Sequence, residues 1–173
     1  MTDHALQFIF GRRSIRAYAP GDVSEAVVTQ LLQAAMAAPS AGAKDPWRFV
    51  VIREPATLAA IAAALPFGKM LATASLGIVV CGDLEAAHDG QLSYLLQDCA
   101  AATENLLLAA HALGLGACWL GVHPREDRVW KLGELLSLPA SVIPMACVAI
   151  GHPGETKAPR TRFNPACVHR EKW

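Results

Sequence analysis

Apolar positions along this chain fall into two alternating patterns, helix-spaced stretches and short unbroken runs. Leu6, Ile9 and Phe10 mark a first short helix that Gly11 ends. Ser24 is placed to cap a second, with Val23 and Val28 set as a hydrophobic staple. That helix runs through Leu31, Leu32, Ala35 and Met36 and stops before Pro39. Arg48–Arg53 predicts a strand, and Pro55 opens an Ala-rich helix reaching Ala64. A short helix around Lys69–Ala72 precedes an apolar strand, Leu76–Cys81. Gln91–Leu113 is the longest helix, with Gly114 as its stop. Ala117–Val122 predicts a strand, Arg125–Leu136 an amphipathic helix and Met145–Ile150 a last strand. Residues from about 154 onward have no helical period and predict an extended arm.

The strands are apolar on both faces, which predicts an α+β chain whose sheet is covered by helices. In the longest helix, 15 of 23 residues are apolar, so both of its faces need burial, one of them at a subunit interface. A length of 173 residues with 53% hydrophobic and 17% charged positions is that of one folded domain, 1–173, and excludes a disordered chain. The charge-free runs are interrupted by Gly, Pro and His, which argues against a membrane span. The start, Met-Thr-Asp-His, lacks a signal-peptide pattern. Cys81, Cys99, Cys118, Cys147 and Cys167 are scattered and odd in number, as buried thiols of a cytoplasmic protein are.

Formal charge is zero, with 15 basic and 15 acidic residues, but its distribution is uneven. Arg12, Arg13 and Arg16 lie in residues 11–21 without an acid, and Lys157, Arg160, Arg162, Arg170 and Lys172 crowd the end. The body between them is acidic. That is too little basic excess for a nucleic-acid surface, whereas two converging basic segments suit a small anion.

Gly114-Leu-Gly116 follows a helix and precedes a strand, the reverse of a dinucleotide loop, and is better taken as a helix cap. The six His residues show no metal-ligand spacing, and neither a GxSxG elbow nor a P-loop is present. Arg12, Arg13, Ser14 and Arg16 offer guanidinium forks and a hydroxyl to a phosphate, although alone such a loop is more often a solvated basic turn. The loop from Ala38 to Trp47 is rich in small residues that let backbone approach a flat ligand. Arg160-Thr-Arg162-Phe in the tail can return to the same phosphate.

In this order, RRSIRAY at 12–18, APSAGAKDPWRFVV at 38–51, FGKML at 67–71 and QDCAAATENLLLAAHALGLGACWLGVHP at 97–124 resemble the nitroreductase family of flavin enzymes. LPASVIPMACVAIGHP at 138–153 and the ending TRFNPACVHREKW extend the resemblance nearly end to end. It implies a central mixed β-sheet flanked by helices, in an intertwined homodimer with a C-terminal arm over 154–173. It further implies FMN held without a covalent link, NADH or NADPH as donor, and a nitroaromatic, quinone or similar small acceptor.

By position, Arg12, Arg13, Ser14 and Arg16 resemble the phosphate and ribityl contacts, joined by Arg160 or Arg162. Pro39, Ser40 and Ala41 resemble the partner subunit's contribution to the flavin edge, and Lys69 the lysine near the pyrimidine oxygen. Leu120 and Gly121 resemble the backbone beside the reactive N5. Ala43 and Asp45 depart from the pattern, which usually has Asn and Gln there, so two amides are missing. Asp45 is expected to face solvent or pair with Lys44 or Arg48. Because FMN carries the hydride itself, no side chain is required as catalyst. Two alternatives stay open: a flavin-binding dimer without turnover, and another flavin reaction such as dehalogenation or flavin breakdown.

Overall fold

The computed structural model describes residues 4–173, with side chains from Leu6 onward. Helix α1 spans His4–Gly11, α2 Glu25–Met36, α3 Pro55–Ala64, α4 Leu92–Ala112 and α5 Glu126–Leu135. Strands are β1 Tyr18–Ala19, β2 Trp47–Ile52, β3 Leu76–Asp83, β4 Gly116–Gly121 and β5 Val142–Pro153. Ser24 caps α2 as its position dictates, its Oγ accepting from the Val27 N–H at 3.4 Å, and the staple residues Val23 and Val28 are both buried.

Strand β5 is the hub. It pairs with β3 over residues 142–150, with β4 over 146–151 and with β1 at 152–153, and β2 extends the sheet beyond β3. Every ladder is antiparallel, and one parallel bridge, Ser14 to Ala117, makes the sheet mixed.

Strict alternation along the central strands splits the core in two. Ile78, Val80, Val148 and Ile150 face α2 and α4, where they meet Leu31, Ala35, Leu95, Ala102 and Leu106. Val79, Cys81, Cys147 and Ala149 face the other way, onto Leu58, Ile61, Leu71 and Leu132 of the α3 and α5 side. Each fully buried Leu or Ile in these layers contributes about 1.5–3 kcal/mol. Two covered faces explain why the strands show no polar side.

Several elements differ from expectation; β3 runs on to Asp83, and β4 spans Gly116–Gly121 rather than Ala117–Val122. Strand β2 begins one residue early, at Trp47. Strand β5 is twice the predicted length because it absorbs Pro144, Gly151 and Pro153, residues that ordinarily end a strand. A shift of register beside Cys81 skips Met145, so that Pro144 sits at a bulge. Strand β1 is only two residues long and leaves no period to detect. Residues 154–173 contain only a short 3-10 turn, Pro165–Cys167, and Cys167 is exposed, unlike the four buried cysteines.

The loop between α2 and β2 holds a turn of left-handed backbone. Gly42, Ala43 and Asp45 have φ of 59°, 52° and 49°. Gly adopts this region freely and Asn tolerates it, whereas Ala strains. Ala43→Asn is therefore expected to stabilise the protein by about 0.5–1 kcal/mol, read as a melting temperature roughly 1–4 °C higher. An unchanged or lower melting temperature contradicts this account of the loop.

Candidate functional site

The segment after α1 is fastened to the sheet before it presents any charge. Ile15 is buried, its N–H donates to the Ala117 carbonyl at 3.0 Å, and Ser14 bridges the same residue. Gly116 is required here, since a Cβ would stand 2.7 Å from Ile15 Cγ2. The Tyr18 hydroxyl lies 2.9 Å from the Ile15 carbonyl and 3.0 Å from that of Ala149. With Ile15 turned inward, Arg12, Arg13, Ser14 and Arg16 remain at the surface of one loop.

The chain beyond β5 clasps this loop. Gly154 N–H donates to the Ala17 carbonyl at 2.8 Å, and Arg160 N–H to that of Phe10 at 3.2 Å. Arg13 donates to the Ala158 carbonyl, and Lys157 Nζ to the Ser14 carbonyl at 2.8 Å. Glu155 accepts from the Arg16 N–H at 2.6 Å and pairs with Lys157 at 2.9 Å. The Lys157 ammonium, then the Arg16 N–H, hold the Glu155 carboxyl below its ordinary value.

Together the two segments line a cavity of about 420 Å³ with Ile9, Arg12, Arg13, Ser14, Arg16, Lys157, Arg160 and Arg162. Of these cations, Arg12 pairs with Glu104 at 3.2 Å and Lys157 with Glu155, but no carboxylate lines the cavity itself. Both tail arginines contribute, where sequence reasoning left a choice between them.

Arg16 also lines a second cavity, of about 530 Å³. Its walls are mainly apolar: Leu65, Pro66, Phe67, Met70, Trp119 and Leu120, with Cys118 and Gly121. Lys69 opens the 3-10 turn Lys69–Thr73 and reaches this cavity, as does Arg128 from α5. Leu120 is buried and Gly121 exposed at the end of β4, and Arg128 Nη1 donates to the Gly121 carbonyl at 2.9 Å. Cys118 stays a thiol: burial pushes it up, and Arg16 and Lys157 offset this only in part. Burial pushes the Cys81, Cys99 and Cys147 thiols up to about 12, so these three are structural thiols as well.

Pro39, Ser40, Ala41 and Ala43 line neither cavity of this chain. The Ala41 N–H donates to buried Asp98 Oδ1 at 2.9 Å, which ties the turn to α4. Asp45 is exposed, as expected, but its carboxylate bonds neither Lys44 nor the Arg48 guanidinium. Instead Oδ1 accepts from the Ser40 hydroxyl at 2.5 Å, while Arg48 bonds the Asp83 carboxylate at 3.0 Å. A local ring, Ser40 Oγ also accepting from the Asp45 N–H at 3.0 Å, outcompetes a longer ion pair.

Sequence reasoning did not single out Glu155, Phe67, Trp119 or Arg128. Phe67 lies inside the FGKML motif, and Glu155 was visible only as an acid among cations. Arg128 carried no local signal.

The profile of the nitroreductase family matches residues 9–66 and 62–152. A provisionally named NADH dehydrogenase/NAD(P)H nitroreductase of Archaeoglobus fulgidus is 44% identical over 174 residues, 99% of each chain. A solved structure under the same provisional name, from Bacteroides thetaiotaomicron VPI-5482, superposes with a TM-score of 0.93 at 35% identity and covers all of both chains. A provisionally named nitroreductase of Desulfovibrio desulfuricans, solved in complex with FMN, gives 0.86 at 34% identity, over 100% of this chain and 99% of that one. The architecture, the order of the motifs and these matches agree, and the chain belongs to the nitroreductase family.

Proposed function

We propose that the protein is an FMN-dependent oxidoreductase that takes hydride from NADH or NADPH and delivers it to a small nitroaromatic or quinone-like acceptor. One observation carries this reading: a basic cavity and an apolar cavity adjoin at Arg16, and no carboxylate lines either. Such a pair suits a molecule with a phosphate dianion at one end and a flat ring at the other. FMN is such a molecule, and the Desulfovibrio desulfuricans relative contains it.

The residues fit the group. Arg12, Arg13, Arg16, Lys157, Arg160 and Arg162, with the Ser14 hydroxyl, line the basic cavity and would hold the phosphate by charge-assisted hydrogen bonds. Trp119, Leu120 and Gly121 would wall the ring, and Lys69 would bring positive charge to it. When bound, FMN supplies the hydride chemistry, so the protein's work is binding, orientation and exclusion of water. No thiolate or carboxylate stands in the apolar cavity to act as nucleophile or base. Among the described residues, no helix is long and apolar enough to cross a membrane, and a cytoplasmic location is part of the proposal.

The reading includes a homodimer with flavin sites between chains and 154–173 as an exchanged arm of a single domain. Phe163 is 76% exposed and Trp173 fully exposed, and Leu6 and Ile9 of α1 are uncovered too. A second copy gives these residues a partner. It also gives Pro39, Ser40, Ala41 and Ala43 a site to complete.

The purified protein is expected to release FMN on denaturation and to oxidise NADH or NADPH when a quinone is added. Arg16→Ala and Arg162→Ala are expected to weaken FMN roughly ten- to a hundredfold while affecting riboflavin much less, since each deletes a phosphate contact worth about 1.5–3 kcal/mol. Equal weakening of both ligands in a titration removes the phosphate assignment.

Glu155 has a lowered folded-state pKa, so its contribution is complete above its ordinary value of 4.5 and is lost as pH falls through the lowered one. The difference in melting temperature between wild type and Glu155→Gln should be constant from pH 7 to about 5 and close below 4.5. A gap that persists in acid rules out the ion pair as its origin.

Removing residues 163–173 keeps Arg160 and Arg162 but takes away the exposed Phe163 and Trp173. The truncated protein is expected to be monomeric by light scattering and to lose FMN. A monomeric form that still holds FMN would dispose of the shared site.

A further inference from the structure

Three cations line the apolar cavity, Arg16, Lys69 and Arg128, and no carboxylate answers them. The proposed function, on which the present inference rests, occupies two. Arg16 also lines the basic cavity that takes the phosphate, and Lys69 is assigned to the flavin ring. Arg128 is left over.

Its setting is that of a ligand-binding cation rather than a solvated one. Arg128 lies in the first turn of α5, is half-buried, and forms no ion pair among the described residues. The adjoining acids of its own helix, Glu126 and Asp127, are exposed and stand outside the cavity wall. One N–H is spent on the Gly121 carbonyl at 2.9 Å, which fixes the head group at the end of β4. A guanidinium carries about five N–H donors, so most of the fork remains unfilled. The rest of the lining not assigned to the flavin is apolar and in part aromatic, with Leu65, Pro66, Phe67 and Met70. Phe67 is 78% exposed, so its ring has aromatic surface still uncovered. A flat aromatic guest that carries an anion would use both the apolar lining and the free part of the Arg128 fork.

We infer that Arg128 is a specificity residue and that the protein prefers flat aromatic acceptors bearing a carboxylate or sulfonate over neutral acceptors of the same size. The bond to the Gly121 carbonyl holds the guanidinium in place, so a carboxylate meets a fork already positioned rather than a freely moving side chain. A donor nucleotide's phosphate offers the same charge, and binding and kinetics together separate the two sources.

The probes are 4-nitrobenzoate and 4-nitrobenzyl alcohol, titrated calorimetrically into the FMN-loaded protein. Wild type is expected to bind the benzoate about tenfold more tightly. Arg128→Gln keeps an amide that can donate to Gly121 but removes the charge, and should bring that ratio close to one. Arg128→Lys restores the charge without the fork and should recover part of it. The flavin spectrum of each variant reports that the site is intact. If a variant loses its flavin, the wild-type ratio and the lysine variant decide.

No preference in wild type, or a preference that survives Arg128→Gln, overturns the inference. So does a rise in KM for NADH and NADPH in Arg128→Gln with the acceptor ratio unchanged, because the anion is then the donor's phosphate. Failure of wild type to oxidise either nucleotide with any acceptor overturns the oxidoreductase reading. The binding ratio still judges Arg128 in that case.

Discussion

Like charges crowded into one cleft repel, and the site depends on holding six of them together. Arg12, Arg13, Arg16, Lys157, Arg160 and Arg162 come from opposite ends of the chain. Their own electrostatics would drive the ends apart. Backbone hydrogen bonds, Gly154 to Ala17 and Arg160 to Phe10, are indifferent to that charge and set the two segments side by side. Glu155 is the one acid woven into the clasp, and it bonds backbone and Lys157 rather than facing the cavity. The fold thus sets the geometry with backbone bonds and, although Glu104 and Glu155 pair with Arg12 and Lys157, keeps carboxylates out of the cavity wall where an anion can use the charge.

The range of each signal decides how much of the molecule was legible in the sequence. The helices have local periods and caps, so α2 and α3 emerge close to their observed bounds, with Ser24 and Pro55 at their starts. Strand β5 was half hidden because Pro144 and Pro153 are strand breakers in isolation and are tolerated only through a bulge and at a strand end. Strand β1 exists only because β5 is there to receive it. At the site, the arginines of 12–16 and 160–162 were visible as charge in a poor background. Arg128 was not, because a single Arg in an amphipathic helix is ordinary until the cavity beside it is known.

Ala43 and Asp45 show the same limit from another side. Their departure from the family pattern was plain in the sequence, but its meaning was not. Asp45 turned out to close a ring with Ser40, which takes its charge away from Lys44 and Arg48. The nearer contact of the loop to the rest of the chain is the bond from Ala41 to Asp98, a buried carboxylate on α4. The helix that forms one half of the core therefore also sets where this loop lies.

Cys118 stands in the wall of the apolar cavity, beside residues that gather positive charge. Positive neighbours ordinarily make a thiol into a thiolate, and a thiolate adds readily to quinones and other electrophiles. Here burial within β4 wins, and the proton is held on sulfur. Under the proposed function, the depth of this one side chain makes Cys118 a weaker nucleophile toward a quinone-like guest than its cationic neighbours alone would make it.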